Sequence, residues 1–118
     1  MRAAHQRTEA RHAYDWLWGD CVALALALHE RTGWPIVQVV GERDGRQGFH
    51  VGVRMPDGRV LDGEGAHGRE AWLAAYAADR MTREEFEPRD TPEARAVMHA
   101  ARGAAARVIA GLARPAAA

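Results

Sequence analysis

Two hydrophobic periods alternate along this chain, and each change of period marks a new element. From Cys21 to Leu28 the residues run Cys-Val-Ala-Leu-Ala-Leu-Ala-Leu, large and small apolar side chains in turn, a pattern that a strand can share. Alanine and leucine are strong helix formers, the run closes in His29-Glu30-Arg31 with Gly33 just beyond, and Asp20 in front is a good N-cap residue. Together these select a buried helix. Ile36 to Val40 is a β-branched run bounded by Pro35 and Gly41 and reads as a central strand. Glu42 to Gly48 contains Asp44-Gly45 and reads as a hairpin turn or short loop. His50 to Arg54 and Arg59 to Asp62 are then two strands joined by Met55-Pro56-Asp57-Gly58, a turn with proline and glycine where each is favoured. Three consecutive antiparallel strands make a meander.

The flanks read as helical. Arg2 to Trp18 carries Ala3, Gln6, Ala10, Ala13, Tyr14 and Leu17 near one stripe, and Gly68 to Ala78 has Trp72, Leu73 and Tyr76 as its apolar side. Thr82-Arg83-Glu84-Glu85 fits a capping box, with Pro88 keeping that helix short. Thr91-Pro92-Glu93 opens a long alanine-rich helix through about Leu112, whose small-residue stripe packs on the body of the domain or on another subunit. The expected class is α+β. A single domain spans residues 1–118, with a core over 18–65 and a C-terminal helical segment over 68–113.

Charge and composition narrow the function. Sixteen basic and sixteen acidic residues cancel, so no net field draws the chain to nucleic acid or an anionic membrane. No apolar run reaches the roughly 20 residues that span a bilayer and the first residues are charged, so the expected location is the cytoplasm. The single cysteine rules out an intrachain disulfide and a multi-cysteine zinc site. Ser, Asn and Lys are absent, which removes a serine nucleophile, a Schiff-base lysine and an asparagine as third member of a cysteine triad.

Cys21 stands at the first turn of its helix, where the helix dipole favours thiolate over thiol. A cysteine hydrolase also needs an imidazole to carry a proton and an acceptor to fix its tautomer, and His50 and Asp62 follow in that order. With a type I turn and a bulge at Gly58, Val53 pairs with Leu61, which places Asp62 diagonal to His50 on one sheet face. A different turn register would flip one strand. Taken singly, Cys21 is also a small buried hydrophobe, His50 a strand residue bonded to backbone, and Asp62-Gly63 an ordinary turn. A metal reading would use Cys21, His50, Asp62 and His67, although no close histidine pair seeds it.

Asp20-Cys21 at a helix start, His50 entering a strand, and Asp62 with Gly63 and Gly65 after it resemble the core of the papain-like cysteine peptidases. The likeness is greatest to the bacteriocin-processing type, and transglutaminase-like proteins share the order. It spans about Trp18 to Gly65, and the chain departs from it at Val22, where those peptidases have glycine, and at Asp15, where they have glutamine. The resemblance implies Cys21 as nucleophile, His50 as general base and acid, and Asp62 as orienting acid, with Glu64 the alternative to Asp62. Trp18, Asp20, Arg54 and Glu64 are the candidate substrate-binding residues, Trp18 as an aromatic wall and Arg54 for an acidic group. The implied activity is hydrolysis or acyl transfer at an amide of a protein or peptide, with no cofactor, no metal, no nucleic acid and no membrane. The alternative is a catalytically silent domain that binds a partner, or a second copy of itself, through the C-terminal helix.

Overall fold

The computed structural model describes residues 20–113 apart from 44, 88 and 89. The helix expected over Arg2 to Trp18 lies outside them. Helix α1, Asp20–Thr32, is buried from Cys21 to Leu28 save for half-buried Val22. That explains why large and small residues alternate without a polar face: a helix apolar all round is one surrounded by protein. It ends where the Gly33 amide bonds the His29 carbonyl at 2.8 Å.

Five antiparallel strands follow instead of three: β1 Ile36–Arg43, β2 Arg46–Arg54, β3 Val60–Asp62, β4 Gly65–His67 and β5 Met81–Glu84. Their order in the sheet is β4-β3-β2-β1-β5. β1 and β2 run longer than expected and close a tight hairpin, with Arg43 opposite Arg46. The β2–β3 turn has the expected form, since the Gly58 amide bonds the Met55 carbonyl at 2.9 Å and Gly58 sits at φ +92°, a conformation that glycine adopts without strain. Val53 accordingly pairs with Leu61 and Arg54 with Val60.

The capping box at Thr82 does not start a helix. Met81–Glu84 is a strand along β1, with Val39 opposite Met81 and Ile36 opposite Glu84, and the Thr82 hydroxyl bonds the Glu84 carboxylate. The outer edge of β1 carries backbone groups that need partners, and the five residues between Thr82 and Pro88 are too few to repay helix nucleation. Helix α2, Arg69–Ala75, and helix α3, Pro92–Leu112, lie where expected, and Thr91 caps α3 through its hydroxyl to the Ala94 amide at 3.0 Å. No described helix is long and apolar enough to cross a membrane.

Strand alternation divides the core in two. Ile36, Val51, Val53 and Leu61 point to α1 and α3, with Met98, Ala101 and Ala105 of α3 buried against them. Val37, Val39 and Val60 point the other way, onto Trp72, Leu73 and Tyr76. The small-residue stripe of α3 thus packs on α1 of the same chain, and Arg102 forks onto Glu30 across that contact at 3.0 and 3.2 Å.

Gly41 is where α2 presses on the sheet. A Cβ there would overlap the Tyr76 carbonyl oxygen, a backbone atom that cannot swing aside. Gly41→Ala is expected to lower stability by about 2 kcal/mol, the scale of an overpacked core, whereas Gly103→Ala on the exposed side of α3 should raise it by roughly 0.5–1 kcal/mol. Urea unfolding midpoints of the two variants check both signs.

Candidate active site

The path of the thiol to its partner follows from the strand pairing. The Arg54 amide bonds the Pro35 carbonyl at 2.9 Å, so even-numbered residues of β2 bond toward β1 and odd-numbered ones toward β3. β3 pairs with β2 only at Val53 and Arg54, and beyond that the β3-facing backbone of β2 lies past the end of the ladder. Cys21, in the first turn of α1, reaches that place: its Sγ lies 3.4 Å from the Val51 carbonyl oxygen and 3.1 Å from His50 Nδ1. His50 alternates with Val51 and faces the α2 side of the sheet. The cysteine from one layer therefore meets the histidine of the other.

Asp62 takes up the far side of the imidazole, with His50 Nε2 to Oδ2 at 3.1 Å. Its carboxylate accepts three further bonds: Trp72 Nε1–H to Oδ2 at 2.9 Å, the Glu64 amide to Oδ1 at 2.9 Å, and His67 Nε2 to Oδ1 at 2.8 Å. Four donors fill the acceptor positions of an ionised carboxylate. Asp62 is only 3% exposed, and burial alone would push its pKa up. The bonds from His50, Trp72, the Glu64 amide and His67 outweigh burial and hold it at about 2, against an ordinary 3.8. An ionised Asp62 requires a proton on Nε2 of His50. In the neutral ring that leaves Nδ1 as a bare acceptor aimed at the sulfur.

Aromatic rings fix the imidazole in place. Tyr76 stacks on His50 with centroids 4.7 Å apart and an interplanar angle of 20°, and Trp72 lies at 5.8 Å, tilted by 49°. Burial, helped by the negative charges of Asp62, Glu64 and Cys21, pushes the Tyr76 hydroxyl up to about 12, so at neutral pH it remains a donor.

Of the residues singled out from sequence, Cys21, His50 and Asp62 come together. Asp62, not Glu64, meets the imidazole; Glu64 contributes its backbone amide and leaves its side chain exposed. Asp20 opens α1 beside the thiol, and Trp18 lies outside the described residues. Arg54 shares the sheet face of His50 but sits four residues along the strand, about 13 Å away, and is exposed. Trp72, Tyr76 and His67 surround His50 and Asp62, whereas sequence reasoning placed them elsewhere, two as a helix's apolar side and one as a metal ligand. Their signal was Trp72 and Tyr76 at an i, i+4 spacing just after the Asp62 turn. Asp62, Glu64 and His67 place one ligand atom each within 4.8 Å of one another, but in the structure Asp62 Oδ1 is taken up by its bonds to His67 and the Glu64 amide.

Comparison with family models, with curated proteins and with solved structures finds no match for the chain.

Because the folded-state pKa of Asp62 is depressed, its contribution is complete above the unfolded value near 3.8 and is lost as pH falls toward 2. It amounts to about 2 kcal/mol by linkage. Asp62→Asn is expected to flatten the fall in stability between pH 4 and 2, as measured by chemical unfolding at each pH.

Proposed function

We propose that the protein is a small thiol hydrolase or acyl transferase acting on an amide bond. The observation that carries this reading is the unbroken relay from Cys21 Sγ through the two nitrogens of His50 to a buried, ionised Asp62. Each nitrogen has a separate task. Nε2–H is held by the carboxylate, and Nδ1 is left to take the proton of the thiol.

In the reaction so read, the S–H proton passes to Nδ1, and the thiolate attacks the carbonyl carbon of the amide. Collapse of the tetrahedral intermediate breaks the C–N bond, and the imidazolium returns its proton to the leaving nitrogen. The acyl group remains on Cys21 as a thioester. Water, deprotonated by His50, then releases the acid, or an amine takes the acyl group instead. Asp62 stays ionised throughout and stabilises the imidazolium. The Val51 carbonyl adds a directional element, since a thiol can bond to it but a thiolate is repelled by it. Transfer of the proton to His50 should therefore turn the sulfur away from Val51, toward solvent and substrate.

A second reading draws on the 3% exposure of Cys21: a silent domain of this architecture in which the three residues serve packing and the surface binds a partner. Alkylation by iodoacetamide at pH 7 separates the two. The enzyme reading predicts that Cys21 reacts about tenfold or more faster than N-acetylcysteine, a free thiol being only a few per cent thiolate at that pH. His50→Ala should abolish the advantage. A rate at or below that of the free thiol would sink the enzyme reading and support the silent one.

A further inference from the structure

A cleft of about 570 Å³ opens between α1, the β3–β4 turn and α3, within the size range of small-molecule sites. Leu24, Ala66, Ala104, Val108 and Leu112 give it an apolar floor continuous with the core. One cation, Arg107, and one anion, Glu64, stand on its walls, both exposed. On the same helix, Arg95 holds Asp90 and Arg102 holds Glu30, whereas Arg107 forms no ion pair among the described residues.

Two of the walls lead directly to the triad. Leu24 follows Cys21 by three residues on one helix face, about 5–6 Å between side chains. The turn of Gly63 and Glu64 continues from Asp62. A side chain seated on Leu24 is thus about one residue's length from the sulfur.

We propose that this cleft receives the C-terminal residue of a peptide, its aliphatic side chain on the apolar floor and its carboxylate paired with Arg107. The inference rests on the thiol-hydrolase reading and specifies its leaving group. The amide before that residue is the bond broken. Its carbonyl carbon joins Cys21 as a thioester, its nitrogen takes the proton from His50, and the freed amino acid departs from the cleft before water cleaves the thioester. The apolar floor selects an aliphatic side chain, because a polar one would lose water there with no partner in return. Arg107 selects a free carboxylate over an amide, and Glu64 opposite it disfavours a second negative charge.

Two affinity labels test this, iodoacetyl-leucine and iodoacetyl-leucinamide, each of which places the leucine nitrogen two bonds beyond the carbon that Cys21 alkylates, one bond more than in the amide that is cleaved. Each rate is divided by the same reagent's rate with N-acetylcysteine, and iodoacetamide serves as the reference for the triad. The acid is expected to react about fivefold faster than the amide, the ceiling for one exposed ion pair. That ratio should fall to one or below in Arg107→Ala, where Glu64 alone faces the carboxylate, and lower still in Arg107→Glu, with the iodoacetamide rate unchanged. Equal rates for acid and amide in the native protein, or a preference that survives in Arg107→Ala, would overturn the assignment of the cleft. Slow reaction with iodoacetamide itself would overturn the triad reading instead.

Discussion

A carboxylate taken out of water must be given partners or give up its charge, and the central part of this fold is arranged around that constraint at Asp62. Its four donors come from four places: β2 supplies His50, α2 supplies Trp72, β4 supplies His67, and the turn after Asp62 supplies the Glu64 amide. Loss of any one would leave a buried charge short of a bond. The network therefore ties α2 and the short β3–β4 pair to the long β1–β2 hairpin, and an electrostatic requirement acts as a tertiary restraint.

The same requirement decides the chemistry available at Cys21. The imidazole is protonated at Nε2 because Asp62 demands a donor there, so the nitrogen facing the sulfur is the one able to take a proton. Geometry then depends on a local feature of the sheet. β3 pairs with only two residues of β2, and the thiol at the start of α1 enters where that pairing ends. A longer β3 would bond the Val51 carbonyl itself and close the route between the two layers. Shortness of the strand is thus a structural condition for contact between Cys21 and His50.

Much of this was legible in the residues. The turn chemistry of Pro56, Asp57 and Gly58 determined the β2–β3 register, and with the register came the shared face of His50 and Asp62. The Ala-Leu run and the Thr91-Pro92 start located two helices for reasons of propensity and capping. Other parts depended on contacts that local pattern does not encode. Met81 to Glu84 carries a helix-start signature, yet the exposed edge of β1 recruits it as a strand. Gly65 to His67 is too short and polar to read as a strand, and it pairs because Asp62 holds both its turn and its histidine. Trp72 looked like an ordinary core residue, and only the fold reveals that its indole N–H is aimed at a carboxylate.

The central claim is that Asp62 holds the proton of His50 on Nε2 and so keeps Nδ1 for the thiol. Long-range ¹H–¹⁵N correlation spectra of the native protein at neutral pH read the protonation of each ring nitrogen directly. The account predicts a protonated Nε2 for His50, with Nδ1 either bare beside a thiol or protonated beside a thiolate. A His50 ring carrying its proton on Nδ1 alone, with Nε2 bare, would contradict it.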